Sequence, residues 1–218
     1  MGIVFGITGS EEPKYIMLQS TPFEIRQYPP YLLAEVQMDS NGDGRAFNAL
    51  AKYIGVFGNP ENEGKKPMAM TAPVTLSPRV PLRGEKLAMT SPVVQSEQHM
   101  GFVLPFEITK LSDAPKPTDS RVKLRAVPEK VIACRCFSGW YTREAGKAQY
   151  KSLQSQLLAE NLIPKPSGDP AEEDLGWSVA QYHPPFTLPF LRRNEIWVEL
   201  NEAAPAVKVL LQKLRAIK

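Results

Sequence analysis

The sequence predicts an α+β domain in which two pseudo-symmetric halves build a distorted antiparallel β-barrel. The first observation is an internal repeat: residues 23–38 and 122–137 superpose at an offset of 99, so that Arg26 matches Arg125. Each stretch alternates in polarity, breaks at proline and ends in an apolar run, a pattern typical of strand, turn and strand. The second observation is a helical pattern that follows in each half. Antiparallel strands from two such units are expected to curl into one sheet or barrel, with the helices covering its outside.

Two flanking helices are predicted from apolar stripes that follow a capping residue. Asp43 is predicted to cap a first helix over Arg45–Ile54, and Thr142 is predicted to cap a second. The stripes consist of Phe47, Leu50, Ala51 and Ile54 in the first helix and of Tyr150, Leu153 and Leu157 in the second. Each half is then predicted to close with a strand, at Gly101–Pro105 and at Glu195–Leu200.

One short phrase occurs twice in nearly the same form, as PMAMTAPV at Pro67–Val74 and as KLAMTSPV at Lys86–Val93. Each is an apolar run that ends in proline and valine. Because proline has no N–H to donate to a sheet, each phrase is predicted to be a strand that ends at an edge or a bulge. The two phrases therefore suggest a hairpin or a feature at the rim of the barrel.

The repeat predicts one duplicated domain over residues 14–200, with halves of about 14–110 and 118–200. Residues 201–218 form an extension, in which Pro205 suits the first turn of a helix. The apolar stripe of this extension consists of Val207, Leu210, Leu211, Leu214 and Ile217. The stripe predicts an amphipathic helix of about three turns. It could dock on the barrel or, because basic residues flank it, contact a membrane surface or a partner protein.

Composition excludes several classes of protein. The chain has 218 residues, of which 43% are hydrophobic and 22% charged, as in a soluble globular protein. A net charge of +3 without any basic run predicts no nucleic-acid partner. No apolar stretch approaches the roughly 18 residues of a membrane span. Two cysteines fit a reducing compartment, so we expect a cytoplasmic protein, with the plastid as the alternative, and a monomer.

Motifs of catalysis are missing from the sequence. Asn41–Gly44 lacks the Lys-Ser/Thr sequel of a phosphate-binding loop, and no metalloprotease motif occurs. Glu24 and Glu195 lie in strand patterns, but the sequence does not bring them into one cleft. We therefore expect a binding protein and not an enzyme. A ligand-sensing or protein-interaction module on the same scaffold is the alternative.

Several long motifs in matching order resemble the SOUL/haem-binding protein family, most closely its short plant and algal members. The resemblance extends from about Lys14 to Leu200 and is carried by Phe23–Val36, Ala46–Glu63, Met68–Val74, Met89–Val94, Gly101–Pro105, Tyr182–Pro189 and Arg192–Leu200. It implies a distorted barrel of two halves flanked by helices. It also implies reversible, non-catalytic binding of haem b or a related porphyrin, as a buffer or carrier.

The resemblance places the pocket between the first helix and the loop before the last strand. Carried onto this sequence, the cofactor-binding residues are Arg45, Phe47, Ala51, Lys52, Phe186 and Leu188. A tetrapyrrole needs an apolar wall for its ring and cations for its propionates, which suits Phe47 and Lys52 respectively. The other interpretation makes Phe47 and Ala51 ordinary core and Lys52 a solvated residue. Arg192 and Arg193, which follow the loop, suit either a propionate contact or structural ion pairs.

No metal site is predicted, and His183 is a weak candidate for an axial ligand of haem iron. His99 is predicted to lie in an exposed loop, and His183 also suits a plain turn. Cys134 and Cys136 face one way on a strand, but two thiols cannot complete a zinc site, so core packing is the expected role. We therefore predict an open groove in which the iron is weakly ligated or unligated.

Overall fold

The computed structural model describes residues 10–38, 43–78, 98–164, 176–183 and 186–217. The elements in this part of the chain are β1 Ile16–Gln19, β2 Glu24–Tyr28, β3 Tyr31–Gln37, α1 Asp43–Ile54, β4 Val74–Pro78, β5 Gln98–Val103, β6 Lys123–Val127, β7 Lys130–Phe137, α2 Arg143–Ala159, β8 Ser178–Gln181, β9 Asn194–Glu199 and α3 Pro205–Ile217. The predicted α+β class, with two flanking helices and a C-terminal helix, is confirmed.

Nine strands of the described residues form one antiparallel sheet in the order β1-β2-β7-β9-β8-β4-β5-β3-β6. The sheet curls into a half-barrel whose ends are β1 and β6. The counterparts in the two halves are β2 and β6, β3 and β7, β4 and β8, and β5 and β9. If each strand from β2 to β6 is replaced by its counterpart, the resulting order is the original order read backwards. The strands on either side of Pro29-Pro30 do not pair with each other, since β2 pairs with β7 and β3 with β6. Each half thus completes its part of the sheet with a strand from the other.

Helix α2 begins at the predicted position, whereas α1 begins two residues before the predicted start at Arg45, so that Asp43 is its first residue and not its cap. Helix α1 starts at Asp43, and α2 starts after Thr142, whose Oγ1 accepts a hydrogen bond from the backbone N–H of Ala145 at 3.1 Å. This bond satisfies one of the amides that have no partner in the first turn of a helix. Helix α1 packs on β3 and β5, and α2 packs on β7 and β9. Residues of both helices, such as Leu50 and Leu153, belong to one buried core, so the two helices cover the same face of the sheet.

The sheet has two buried faces of different character. The face under the helices, which we call the helix face, is filled by aliphatic residues such as Leu50, Leu153 and Ile196. The opposite face contains aromatic rings and polar groups, among them Tyr28, Tyr182 and Trp197. Side chains alternate between the two faces along every strand. Consecutive residues of one strand therefore belong to two separate cores.

The repeated phrase was wrongly predicted to be a strand. In the first copy only Val74 is in a strand, because β4 begins where the phrase ends. Pro73 has no N–H for a sheet hydrogen bond, so it precedes the strand. Thr71 instead forms an isolated bridge with Glu11, and its hydroxyl donates to the carbonyl of Val103. The second copy, Lys86–Val93, lies outside the described residues.

Helix α3 docks on the molecule through its first turns. Val207 is fully buried in the helix-face core, and Leu210 and Leu211 are partly buried against the same core. The helix also contacts β1, at the edge of the sheet. No helix in the described part of the chain has the length and apolar character that a membrane span requires.

Candidate functional site

The α1 residues predicted to bind a cofactor differ in how much surface they offer. Phe47 is half-buried, and its ring packs edge-on against Phe102 of β5 with 5.4 Å between ring centroids. Ala51 is fully buried in the core between helix and sheet. Ala51 therefore presents no surface to a ligand in this structure, whereas Phe47 presents part of one side of its ring. Whether either residue contacts a ligand stays a prediction.

The two cations of α1 lie at its exposed side. The Nζ of Lys52 is 3.3 Å from Oε1 of Glu61, and both side chains are about half exposed. Such an exposed pair contributes only about 0–1 kcal/mol. Lys52 could therefore turn toward an anion at small cost. Arg45 is exposed near the start of the helix.

The loop before β9 is unusually apolar at its surface. Phe186 is 62% exposed and Phe190 is 71% exposed, while Leu188 is partly buried. The segment Pro189–Leu191 forms a single 3-10 turn, closed by a hydrogen bond from the N–H of Leu191 to the carbonyl of Leu188 at 3.0 Å. The loop thus presents two phenyl rings to solvent.

The connection between β7 and α2 lies beside this loop. The N–H of Gly139 donates to the carbonyl of Pro189 at 2.8 Å, and Trp140, which is 56% exposed, follows in the chain. The guanidinium carbon of Arg192 lies 3.7 Å from the centroid of the indole ring of Trp140, and Nε of Arg192 donates to the carbonyl of Thr187 at 3.0 Å. Arg192 is buried by these contacts and ties the loop to the β7–α2 connection.

We call this surface the aromatic face; it consists of Trp140, Phe186, Phe190 and Leu191. The sequence prediction included Phe186 but missed Trp140 and Phe190. Neither residue belongs to a periodic pattern, since one lies in a turn and the other in a 3-10 segment. The available signal was an aromatic residue directly after glycine or proline in a predicted loop, as in Gly139-Trp140 and Pro189-Phe190. Such a residue lies outside the strands and helices whose side chains form the core, so its ring is expected to be exposed.

The environment of His99 differs from the predicted one, whereas His183 lies in a bend after β8, in agreement with the predicted turn. His99 is part of β5 and half-buried, not in an exposed loop, and its Nδ1 has no hydrogen-bond partner in the structure. His183 accepts a hydrogen bond at Nδ1 from the backbone N–H of Arg193, at 3.0 Å. A neutral imidazole that accepts at one nitrogen carries its proton on the other. Nε2 of His183 is then protonated and has no lone pair for a metal.

A buried carboxylate lies at the centre of the opposite face. Glu195 of β9 is fully buried, and its two oxygens accept hydrogen bonds from side chains of three strands and of the segment before β9. The donors are Nη1 and Nη2 of Arg26 at 2.9 and 3.1 Å, the hydroxyl of Tyr182 at 2.8 Å, Nε of Arg193 at 2.8 Å, Nε1 of Trp197 at 2.7 Å and Sγ of Cys136 at 3.5 Å. We call Arg26, Tyr182, Arg193, Glu195 and Trp197 the Glu195 cluster.

The charge of Glu195 is set by its partners. Burial alone would raise the pKa of this carboxyl group, but the charges and hydrogen bonds of Arg26 and Arg193, with the bond from Trp197, lower the pKa to about 2. A carboxylate with this many donors stays ionised at neutral pH. The segment before β1 covers the cluster: Glu12 pairs with Arg193 at 2.9 Å, and the ring of Tyr15 lies 4.4 Å from the guanidinium carbon of Arg26.

The two cysteines lie next to this cluster on β7. Cys134 is buried in the opposite-face core, as predicted, whereas Cys136 is exposed. Their sulfurs and one oxygen of Glu195 all lie within 4.8 Å of one another. A hydrogen bond with the Cys136 sulfur, together with burial, raises the pKa of Cys134. The same bond lowers the pKa of Cys136.

Comparison with known proteins assigns the chain to a family. The family model described as SOUL heme-binding protein matches residues 10–199. The chain belongs to this family. The human protein Heme-binding protein 2 is 25% identical to it over 197 residues, which cover 89% of this chain and 86% of that relative. The description of the family states that its proteins bind heme.

Two solved structures share the fold of this SOUL family member. The crystal structure of the EcmrR C-terminal domain matches with a TM-score of 0.51 at 10% identity, over 83% of this chain and 99% of that domain. An uncharacterized conserved protein from Listeria innocua matches with a TM-score of 0.50 at 12% identity, over 88% and 93% of the two chains. At these identities the likeness concerns the fold alone.

Proposed function

We propose that this SOUL family member binds haem b or a related porphyrin reversibly and acts as a buffer or carrier. The observation that carries the proposal is the match to a heme-binding family over residues 10–199. The role requires that the ligand enters and leaves without covalent change. The proposal therefore includes no bond-making step and treats the protein as a binding protein in a reducing, cytoplasmic setting.

The aromatic face is the part of the described surface that best suits one side of a porphyrin. A porphyrin is a flat apolar ring, so its site needs apolar contact area and a few polar groups. Trp140, Phe186 and Phe190 are each more than half exposed, and the hydrogen bond between Gly139 and Pro189 holds their two segments together. A folded protein gains free energy when such rings are covered. We therefore extend the predicted site, of which Phe186 and Leu188 are part, to these residues.

Apolar contact is proposed to supply most of the affinity. Each Å² of apolar surface removed from water contributes about 25 cal/mol, so covering one exposed phenyl ring contributes about 1.5–3 kcal/mol. Charges contribute less, because an exposed cation pair is worth about 0–1 kcal/mol and Lys52 is already paired with Glu61. Replacing Lys52 by alanine is expected to weaken binding by a few-fold at most.

Ligation of the iron is not part of the proposal. Nε2 of His183 carries the proton when Nδ1 accepts the N–H of Arg193, so this ring offers no lone pair to iron. Hemin and metal-free protoporphyrin are then expected to bind with similar affinity. The His183→Ala variant is expected to keep the Soret maximum of the hemin complex unchanged.

The test is a parallel titration of the full chain with hemin and with protoporphyrin, followed by the Soret band and by ring fluorescence. Phe186→Glu is expected to weaken binding of both ligands by about 10- to 100-fold, because it removes one ring contact and adds a carboxylate. Phe57→Glu is the matched control, since Phe57 is equally exposed at 61% but lies in the turn after α1. Both variants must keep the circular dichroism spectrum and melting temperature of the parent.

Each result of the titration decides a part of the proposal. Equal weakening by Phe186→Glu and Phe57→Glu would contradict a site on the aromatic face. A strong preference for hemin that His183→Ala abolishes would show axial ligation by His183. Failure to bind either ligand would reject the tetrapyrrole function and favour a protein-interaction module, for which the exposed rings would be the contact surface.

A further inference from the structure

The two thiols of β7 are arranged for a metal ion that needs only two ligands. Cys134 and Cys136 are two residues apart in a strand, so their side chains leave the same face. Their sulfurs lie within 4.8 Å of each other. Two opposed metal–sulfur bonds of roughly 2.3 Å each, the length of a Zn–S bond, would span about 4.6 Å. The upper limit on the separation of the two sulfurs is therefore close to the span that a two-coordinate ion requires.

The same strand geometry disfavours a disulfide between these cysteines. Residues two apart in an extended strand have Cα atoms about 6.6 Å apart. Disulfides span roughly 4.4–6.8 Å between Cα atoms, with most near 5.5–6 Å. The expected separation is at the upper end of this range, so closing the bond would require the Cα atoms to approach each other in a strand that is paired on both sides. Both cysteines are free in the structure, and the pair is expected to stay a dithiol.

Glu195 is the third group near the thiols, but it cannot serve as a metal ligand at low cost. Its carboxylate has about four lone-pair sites. Five hydrogen bonds from Arg26, Arg193, Tyr182 and Trp197 already use its two oxygens. Two guanidinium groups beside it would also repel a divalent cation. A three- or four-ligand zinc site would require the cluster to come apart, whereas a two-ligand site leaves it whole.

We infer that Cys134 and Cys136 bind one soft monovalent cation, such as Cu(I), through their two sulfurs alone. Thiolates are the ligands that select Cu(I) among the common protein donors. Binding releases one proton from each thiol and forms two metal–sulfur bonds, so the site changes from neutral to a net charge of −1. No oxidation occurs in this step. The inference is independent of tetrapyrrole binding.

The surroundings of the thiols suit this change of charge. Nη2 of Arg26 lies 3.9 Å from the sulfur of Cys136, so a guanidinium is in place to offset the negative complex and the nearby carboxylate of Glu195, whose Oε1 is 3.5 Å from the same sulfur. Cys136 is exposed and provides an entry path, while Cys134 is almost fully buried and shields the ion from water.

The experiment titrates the reduced full chain with Ag(I), a redox-silent probe, and with Cu(I) under anaerobic conditions against a competing chelator. One ion per chain is expected, with X-ray absorption of the Cu(I) form showing two sulfur ligands. Cys136→Ser removes one ligand from an exposed position, where the fold tolerates the change. It is expected to weaken binding by on the order of 10²- to 10⁴-fold, because the second sulfur no longer acts at high effective concentration.

Matched variants separate this site from other soft donors. Met68→Leu removes a thioether that packs against the helix-face core, on the other side of the sheet from the thiols, and is expected to leave the affinity unchanged. Cys134→Ser is expected to weaken binding as Cys136→Ser does, and because it is buried its fold is checked by melting temperature. Equal affinity of Cys136→Ser and the parent, an ion bridging two chains on gel filtration, or nitrogen or oxygen ligands to Cu(I) would overturn the inference. Stoichiometric Zn²⁺ binding that competes with Ag(I) would overturn the two-ligand geometry.

Discussion

The two halves of the sheet carry the same arginine in different surroundings. Arg26 and its counterpart Arg125 both face away from the helices and both pair with a glutamate. The side chains of Arg26 and Glu195 are 2% and 0% exposed, whereas those of Arg125 and Glu35 are 30% and 18% exposed, with 3.0 Å between the paired atoms. The repeat therefore has an arginine at the same position in both halves. The two ion pairs that these arginines form differ in how completely they are buried.

The difference arises from what lies around each pair. Around the pair of Arg26 and Glu195, Trp197 stands directly across from Cys134, and the segment with Glu12 and Tyr15 lies over Arg26. At the position that corresponds to Trp197, the first half has Gly101. A Cβ there would lie 2.9 Å from Cδ2 of Leu33 and 2.8 Å from Oγ1 of Thr75, so any side chain would force one of these neighbours to shift. The pair of Arg125 and Glu35 therefore lacks the counterpart of the ring that Trp197 provides to Glu195.

The comparison shows what burial demands of an ion pair. Taking two charges out of water costs several kcal/mol per ion unless hydrogen bonds satisfy the remaining lone pairs. Glu195 meets this demand with donors from Arg26, Arg193, Tyr182 and Trp197. The pair of Arg125 and Glu35 stays partly exposed to water and therefore needs no such set of hydrogen-bond donors. Removing one partner should therefore have very different consequences in the two halves.

The largest expected effect is on the free energy of unfolding when each glutamate is replaced by alanine. Glu195→Ala leaves Arg26 buried without its main partner and is expected to lower the stability by about 3–5 kcal/mol. Glu35→Ala removes the partly exposed counterpart and is expected to lower it by about 0–1 kcal/mol. Chemical denaturation of the two variants and the parent measures both. Equal losses would show that burial does not distinguish the pairs.

The next effect is on acid stability. The pKa of Glu195 is lowered to about 2 in the folded protein, below the ordinary value of about 4.3 in an unfolded chain. The unfolded state therefore binds the proton first, so this contribution is fully present above about pH 4.3 and is lost as the pH falls toward 2. It is expected to be on the order of 2–3 kcal/mol. Unfolding curves between pH 5 and 2 measure it.

A matched substitution isolates this acid effect. Glu195→Gln keeps the size of the side chain and removes its titration, so its stability is expected to vary less between pH 5 and 2 than that of the parent. Glu35→Gln serves as the control, because it removes a carboxyl group from the partly exposed pair and leaves Glu195 in place. If Glu195→Gln and the parent have the same slope, other carboxyl groups account for the acid sensitivity.

The smallest expected effect concerns single hydroxyl groups that donate to different acceptors. Tyr182 donates to the carboxylate of Glu195, and Tyr53 donates to the carbonyl of Pro115, both at 2.8 Å. Tyr182→Phe is expected to cost about 1.5–2 kcal/mol and Tyr53→Phe about 1 kcal/mol, since a bond to a charged acceptor is stronger. Thermal unfolding of the two variants tests the order. A larger loss of stability for Tyr53→Phe would mean that the other donors of Glu195 compensate for the missing hydrogen bond of Tyr182.

Much of the fold could be predicted from the sequence because its signals are local. The apolar stripe with Leu153 and the cap at Thr142 predicted α2, and Pro205 marked the start of α3. Strand β1 was not predicted, since its four residues are mostly exposed at the sheet edge and lack clear alternation. The phrase Pro67–Val74 was assigned to a strand on its apolar content, although the proline near its end makes it the approach to β4.

The candidate site was less accessible to sequence reasoning. Phe186 was predicted, but its neighbours Trp140 and Phe190 join it only because the β7–α2 connection folds against the loop before β9. Lys52 was predicted as a cation of the site, and its pairing with Glu61 depends on how the chain turns after α1. Ala51 was predicted either to bind the cofactor or to belong to the core, and the packing of α1 on β3 and β5 buries it fully.

The sequence by itself determined the three helices, the cap at Thr142, the strand–turn–strand pattern of each half and the correspondence of Arg26 with Arg125, because periodicity and capping act within a few residues of the chain. The tertiary structure alone decided that β2 pairs with β7 and that Arg26 meets Glu195, 169 residues away. It also decided that the pair in one half is buried while its counterpart is hydrated. Those outcomes depend on which distant strands pair and on what packs above them, and no local pattern encodes either.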